Sequence, residues 1–248
     1  MEITVIGELC RDYFYYGETN RLSPEAPVPV FNPLFHVENP GMAGNVVENL
    51  KALKEDLIIN FFHQSQPITK ARYVEHKSNH MFIRIDQGEN NIDKLILTDE
   101  ILNKIKESDA VIVSDYHKGF LTDSVLKEIC HNAKFSVIDT KKEIDHSVIE
   151  CFDFIKLNEY EFQKQKFENN LLNKIIITLG SAGAKHNSII YPSPDPKETI
   201  DVSGAGDTFT ASFTLSYLKT KNVSDSIVFA NKMASVVVSK RGVSTPMI

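Results

Sequence analysis

Residues 110–139 read AVIVSDYHKGFLTDSVLKEICHNAKFSVID. The stretch holds an apolar run from Ala110 to Ser114, a segment from Thr122 to His131 with apolar residues at helical spacing, and a second run from Phe135 to Asp139. Runs that are apolar at nearly every position fit strands covered on both faces, and a helix-length connection between two of them fits parallel pairing. The pattern continues on either side. Ile3 to Gly7 and Leu57 to Phe62 lie upstream, Phe154 to Leu157 and Lys174 to Thr178 downstream, with amphipathic stretches at Gly44 to Leu53, Asp99 to Ile105 and Glu159 to Lys166. Strand and helix in alternation predict a doubly wound α/β sheet. Two helical patterns then follow back to back, Ala205 to Leu218 and Ser224 to Ser239, the second with Ser224 as its N-cap.

Two segments interrupt the alternation. Tyr13 to His36 is rich in aromatic and β-branched residues and holds Pro24, Pro27, Pro29 and Pro33, which suits edge strands and turns better than a central strand. Ile68 to Asp86 reads as a hairpin-like pair of strands. Together they predict a small antiparallel sheet standing off the main one as a lid, over about 12–39 and 67–87. No repeat, low-complexity tract or linker divides the chain, so 1–248 is expected to fold as one domain.

The 248 residues carry 27 Lys plus Arg against 33 Asp plus Glu, a formal charge of −6. Nucleic acid is held mainly through its phosphates, and a chain with no basic excess and no Lys/Arg run is not built for that. Hydrophobic residues make up 42%, enough for a sizeable core. No apolar run approaches the ~20 residues of a membrane helix, and the start, Met1-Glu2-Ile3-Thr4, lacks the basic and apolar regions of a leader. The expectation is a cytoplasmic protein with neither a membrane nor a nucleic-acid partner. Cys10, Cys130 and Cys151 are odd in number, far apart and without CxxC spacing, so free thiols are expected. The eight histidines show no close metal-ligand spacing.

Glycine is scarce, 11 of 248, yet six fall in three short clusters: Gly41 and Gly44, Gly180 and Gly183, Gly204 and Gly206. The last sits in Asp201-Val202-Ser203-Gly204-Ala205-Gly206-Asp207-Thr208-Phe209, ahead of a helical pattern. Small residues at the mouth of a helix leave several N–H groups free to face one anion, and the helix dipole adds to their pull; a phosphate is the natural candidate. A carboxylate at Asp207 would then lie beside that anion, where it can take a proton from an attacking hydroxyl, as in phosphoryl transfer. The plain alternative is a first-turn acid stabilised by the dipole.

The longer string, DVSGAGDTFTASF, resembles the C-terminal signature of the ribokinase-like, or PfkB, family of carbohydrate kinases. Further stretches resemble the bacterial D-glycero-β-D-manno-heptose 7-phosphate kinases. They are Gly7-Glu8-Leu9-Cys10-Arg11-Asp12, Arg21-Leu22-Ser23-Pro24-Glu25-Ala26-Pro27-Val28-Pro29-Val30, Pro40-Gly41-Met42-Ala43-Gly44-Asn45-Val46, Ile68-Thr69-Lys70-Ala71-Arg72, Ile83-Arg84-Ile85-Asp86, Ser114-Asp115-Tyr116-His117-Lys118-Gly119 and the end of the chain from Phe229 to Thr245. They run nearly the whole length in the family's order.

The resemblance implies a three-layer α/β/α sandwich with a small β-sheet lid, and an enzyme that uses ATP and Mg2+. It implies Asp207 as catalytic base and the amides of Gly204, Ala205 and Gly206 as the anion hole. Asn158 and Glu161 match an N-x-x-E pattern that helps place magnesium, Glu161 through water. Thr178, Gly180 and Gly183 match a T-x-G-x-x-G nucleotide loop, and Asn231 falls where the family lines the adenine pocket. Asp12, Gly41 and Asn45 match positions that hold sugar hydroxyls. Plainer readings stand beside these: a capping box for Asn158 and Glu161, an ordinary turn before a strand Lys185 to Tyr191 for the two glycines, a solvated acid at Asp12, and a helix cap at Asn45.

A sugar phosphate needs cations to receive it. Arg21, Lys70, Arg72, Arg84, Lys118 and Lys141 are the candidates, with Lys118 and Lys141 favoured because they are expected beyond strand ends, where α/β proteins bind ligands. There are departures from the family. Met42 stands where a second glycine is usual, Glu8 replaces an Asp, Tyr13 replaces an Arg, and the stretch between Phe62 and Ile68 lacks a helix-and-strand unit. No nucleotidyltransferase part is expected after the last helix. The expected substrate is heptose 7-phosphate, phosphorylated at its anomeric hydroxyl; the alternatives are a kinase for another sugar or sugar phosphate and a non-catalytic binding member. A dinucleotide-binding protein is disfavoured, because no G-x-G-x-x-G follows the first strand. The lid edges are expected to pair two copies as a homodimer. Asp201 and Ser244 match positions near a monovalent-cation site, such as one for K+, in some relatives.

Overall fold

A computed structural model of the chain describes residues 1–194, 204–238 and 245–246. In chain order the elements are β1 (Glu2–Gly7), β2 (Leu9–Leu22), β3 (Pro29–Met42), α1 (Ala43–Leu53), β4 (Ile58–Phe62), β5 (Ile68–Glu75), β6 (Met81–Gln87), α2 (Asp99–Glu107), β7 (Ala110–Asp115), α3 (Asp123–Asn132), β8 (Ser136–Thr140), α4 (His146–Cys151), β9 (Phe154–Asn158), α5 (Glu159–Lys164), β10 (Ile175–Thr178), β11 (Ala184–His186), β12 (Ile189–Tyr191), α6 (Ala205–Thr220) and α7 (Val223–Val238). The main sheet runs β12-β11-β10-β9-β8-β7-β1-β4, parallel from β4 to β10 and antiparallel through β11 and β12.

The strands are covered on both faces, as their unbroken apolar runs require. Alternate residues go to opposite sides. Ile3 and Val5 of β1, with Ile112 of β7, join the apolar layer under α1, α6 and α7, while Ile6, Val111 and Val113 join the layer under α2, α3 and α4. The result is a three-layer α/β/α sandwich with a second, four-stranded sheet beside it. That lid runs β3-β2-β5-β6 and is mixed rather than antiparallel, because β2 and β5 pair in parallel. β2 is one of its two inner strands, not an edge, and buries Cys10, Asp12, Phe14 and Tyr16 in alternation. The prolines that argued for an edge lie in the connection and on β3, which is one.

Other expectations need correcting. The strand predicted over Lys185 to Tyr191 is two short ones, turned at Asn187 and Ser188, both with positive φ. Asn222, not Ser224, caps α7: its Oδ1 accepts from the Asp225 amide at 3.1 Å, and the Ser224 hydroxyl meets that of Tyr191 at 2.9 Å. Cys130 and Cys151 are joined in a disulfide with Cα atoms 5.8 Å apart, and Cys10 is free and buried. α3 and α4 pack side by side and end together, so two cysteines with no spacing motif meet through the fold. Among the described residues no helix is long and apolar enough to cross a membrane.

Candidate active site

The parallel strands all end at one edge of the main sheet, the usual ligand side of an α/β fold. Tyr116 follows β7 there, Asp139 and Lys141 stand at the end of β8, Asn158 ends β9 and Thr178 ends β10. Facing them is the start of α6. A cavity of about 690 Å³ lies between, lined by Tyr116, Asp139, Lys141, Lys156, Asn158, Thr178, the Gly180–Gly183 turn, Gly204, Ala205, Gly206, Asp207 and, from α7, Asn231.

α6 begins without a side-chain cap. Gly204 sits at its N-cap in the left-handed region, φ 84°, which costs glycine nothing, and among the described residues no side chain caps the first amides of the helix at the cavity wall. Lys156 reaches across from the middle of β9. Its ammonium is 2.9 Å from Asp139 Oδ2, both side chains are almost wholly buried, and a Cβ on Gly206 would fall 2.7 Å from Lys156 Nζ. Gly206 is therefore the residue that lets a buried cation approach the mouth of the helix. Open amides, the positive end of a helix dipole and an ammonium make an anion site.

Asp207, one turn in, is 4% exposed. Asn45 Nδ2 donates to its Oδ2 at 2.9 Å and the Tyr116 hydroxyl to its Oδ1 at 2.8 Å. Burial first, and then the charge of Asp139, push its pKa up to about 6, while the two hydrogen bonds and Lys156 pull the other way. Such a group is ionised at neutral pH and basic enough to accept a proton there. The Asn45 side chain is itself oriented, since Asn49 Nδ2 donates to its Oδ1 at 3.1 Å and Thr208 Oγ1 donates to Asn49 Oδ1 at 2.8 Å. It does not cap α1; the N-cap is Met42, at φ 55° with no side-chain bond. With ψ at −132° the backbone there takes a positive-φ conformation that a glycine adopts without strain, and the buried Met42 side chain packs with Cys10 and Ile68.

Asn158 and Glu161 form the capping box: Glu161 N donates to Asn158 Oδ1 at 2.8 Å and Asn158 N to Glu161 Oε2 at 2.7 Å. Lys141, which lines the cavity, is 3.0 Å from Glu161 Oε1 and 3.4 Å from Asp139 Oδ1, so it is tied to the main sheet and not to the lid. Among the described residues no three His, Cys, Asp or Glu side chains are grouped to hold a metal by themselves. The hard oxygens of Asn158 and Glu161 fit an ion that keeps most of its water and leans on phosphate oxygens, which is magnesium's habit.

Gly180 and Gly183 close a 3₁₀ turn after β10, at φ 58° and 99°. A Cβ on Gly183 would run into the Tyr191 carbonyl, whereas one on Gly180 meets nothing within 4 Å. Gly183→Ala is therefore expected to lower Tm by several degrees and Gly180→Ala by much less, since only the backbone conformation is then at stake. Thermal melts of the two variants check the contrast. Asn231 donates from Nδ2 to Tyr191 O at 2.8 Å, tying α7 to the same wall.

The remaining candidates lie on the lid side of Tyr116. Asp12 is buried, paired with Arg72 at 2.6 Å, and pressed against Gly41, where a Cβ would land on the carboxylate. Lys118 Nζ is 2.6 Å from Glu89 Oε2 and Lys70 Nζ 3.3 Å from Glu89 Oε1. Arg84 pairs with Asp86 at 2.7 Å, and Arg21 is exposed near the end of β2. Asp201 and Ser244 lie outside the described residues. Three residues of the cavity were not singled out from the sequence: Lys156, Asp139 and Tyr116. A signal existed for the first. A lysine inside an apolar run read as a strand covered on both faces must be paired, and its partner had to be an acid at a neighbouring strand end.

A family model described as pfkB family carbohydrate kinase matches residues 41–248. Curated proteins named bifunctional protein HldE are similar over nearly all of the chain. That of Helicobacter acinonychis is 32% identical over 97% of this chain and 63% of its own, and that of Nitratiruptor sp. 29% identical over 98% and 62%. The chain thus spans less than two thirds of these relatives. Among solved structures, an Arabidopsis thaliana ribokinase complexed with ribose and ATP superposes with a TM-score of 0.70 at 16% identity, covering 97% of this chain and 93% of that one. Thermotoga maritima ribokinase gives 0.72 at 15%, covering 97% and 94%. A potassium complex of Escherichia coli phosphofructokinase-2 gives 0.69 at 13%, covering 97% and 93%. At those identities the likeness is one of fold.

Proposed function

We propose, for a chain that belongs to the pfkB family of carbohydrate kinases, that its acceptor is D-glycero-D-manno-heptose 7-phosphate, phosphorylated at the anomeric hydroxyl to the 1,7-bisphosphate. Family membership makes the chain an ATP-dependent carbohydrate kinase, a phosphotransferase. The finer reading is supported by the heptose-kinase-like stretches from Gly7 to Gly119, by the relatives named HldE, and by the cations under the lid. The product would be a precursor of activated heptose for surface glycans, and the reaction would take place in the cytoplasm.

The observation that carries the mechanism is the buried carboxylate of Asp207 beside open helix amides on a cavity wall. Asp207 takes the proton of the acceptor hydroxyl, which attacks the γ-phosphate in line. The amides of Gly204, Ala205 and Gly206, with Lys156, stabilise the charge that develops on the transferred group. Thr178, Gly180, Gly183 and Asn231 wall the nucleotide. Magnesium, when bound with the triphosphate, neutralises it; Asn158, and Glu161 through water, would hold the ion, and K+ belongs to the same proposal at Asp201 and Ser244. Asp12, Gly41 and Asn45 face the sugar. Lys118 and Lys70 receive its phosphate, which there displaces the carboxylate of Glu89 rather than water alone. Lys141, tied to Asp139 and Glu161, serves the nucleotide side. β3 and β6, the lid edges, expose Leu34, Phe35, Val37, Met81, Ile83 and Ile85, and a second copy of the chain would cover them.

ADP release from MgATP tests the acceptor against heptose 7-phosphate, other sugar phosphates and free sugars. Turnover with the heptose phosphate at a kcat/KM at least a hundredfold above the rest is expected. Preference for an unphosphorylated sugar would overturn the assignment, and binding without turnover would leave a non-catalytic member of the family.

A further inference from the structure

Glu8 is the single residue between β1 and β2, and it is wholly buried. Its carboxylate faces the loop after β7, where Oε2 accepts from the Tyr116 amide at 2.9 Å and Oε1 from the Lys118 amide at 3.0 Å. Two hydrogen bonds to one carboxylate fix the start of that loop at two places. The loop needs holding, since His117, between the two amides, sits at φ 57°. From this anchored backbone the Tyr116 side chain crosses the boundary between cavity and lid. Its hydroxyl reaches Asp207 Oδ1 at 2.8 Å, and its ring has Lys141 Nζ 5.5 Å and Lys70 Nζ 5.9 Å from its centroid.

We infer that Tyr116, clamped by Glu8, is a positioning residue for phosphoryl transfer: it holds the carboxylate of Asp207 in the plane from which one lone pair of each oxygen stays open toward the acceptor. The inference rests on the reading of Asp207 as the proton acceptor. With Asn45 on Oδ2 and Tyr116 on Oδ1, the carboxylate has a donor on each oxygen, from α1 on one side and from the β7 loop on the other. It can neither rotate nor withdraw without breaking one of them. Both donors favour its charged form, against burial and against Asp139 on β8; Lys156 on β9 is the cation that helps them. The charged and titratable groups that face Tyr116 are Asp207, Asp139 and Cys10, with Lys70 and Lys141 against its ring. Burial, then Asp207 and Asp139, raise the phenol well above its ordinary range, so it remains a donor at any working pH.

Tyr116→Phe keeps the ring and removes the bond. In the free protein, carboxyl-carbon NMR with Asp207 assigned by its loss in Asp207→Asn should show the Asp207 midpoint about one pH unit higher in Tyr116→Phe. In turnover with MgATP and heptose 7-phosphate, the acidic limb of the kcat profile should move up with it. The plateau kcat should fall about tenfold through lost alignment, with KM for ATP unchanged. Glu8→Gln offers only one acceptor oxygen to two amides and should shift the limb in the same direction, by less; Glu8→Gln combined with Tyr116→Phe should shift it no further than Tyr116→Phe alone. An Asp207 midpoint and acidic limb unchanged in Tyr116→Phe would overturn the inference. Retained turnover in Asp207→Asn would instead overturn the assignment of the base.

Discussion

Asp207→Asn is expected to bind ATP about as tightly as the parent and to lose roughly 10³-fold in kcat, the middle of the range for removal of a general base. The amide keeps the shape of the side chain and cannot take a proton. The cavity lining is otherwise unchanged, so nucleotide affinity reports that the site is intact while turnover reports the missing base. Stability gives an independent reading. Asp207 has its pKa raised from an ordinary 3.8 to about 6, so the folded state holds that proton more tightly than the unfolded chain does. The contribution of this group to stability therefore falls as pH rises from about 4 to about 6 and is flat above. Asp207→Asn lacks that component. Urea midpoints at pH 4.5 and pH 7.5 should show the difference between variant and parent shifting in the variant's favour at the higher pH. A parallel pair of profiles would remove the raised pKa, and a kcat within tenfold of the parent would remove Asp207 from the mechanism.

Lys156→Met is the second large effect. The parent pair with Asp139 is buried on both sides, at side-chain exposures of 4% and 2%, and removing one member leaves a charge in a medium that does not solvate it. About 3 kcal/mol is the expected cost, at the lower end for a broken buried pair because Lys141 still stands 3.4 Å from Asp139 Oδ1. The second loss is functional. The ammonium at the mouth of α6 is gone, and kcat should fall by about 10² or more. Pairing Lys156→Met with Asp139→Asn separates the two effects: the double variant should recover most of the lost Tm and none of the turnover. If turnover returned along with stability, Lys156 would be structural only.

Much of this architecture could be read from periodicity. The runs starting at Ile3, Leu57, Ala110, Phe135, Phe154 and Lys174 each correspond to a parallel strand, with ends within a residue or so, because a strand covered on both faces leaves an unbroken apolar record. The lid was harder. Its prolines drew attention to edges, while the fact that β2 is an inner strand depends on β5, which pairs with it from more than fifty residues away. The split between β11 and β12 turns on Asn187 and Ser188, neither a glycine, in positive φ. Of the cavity, the glycine-marked parts and Asp207 were visible as motifs. The groups that govern Asp207 were not, since they meet it only through the fold: Asn45 is 162 residues away and Tyr116 is 91. The same holds for the Cys130 and Cys151 bond, which no spacing announces.

The joints between the two sheets are short. A single residue, Glu8, separates β1 from β2, and α1 starts at Ala43 directly after β3 ends at Met42. Neither joint has slack to absorb a swing of the smaller sheet. Tilting it must turn the first turn of α1, which carries Asn45, and pull on the segment that Glu8 holds, which carries Tyr116. Both fingers that grip Asp207 are thus geared to the smaller sheet, and, with the acceptor beneath it as proposed, a molecule too small to draw that canopy down should leave the carboxylate misaimed, however well it fits.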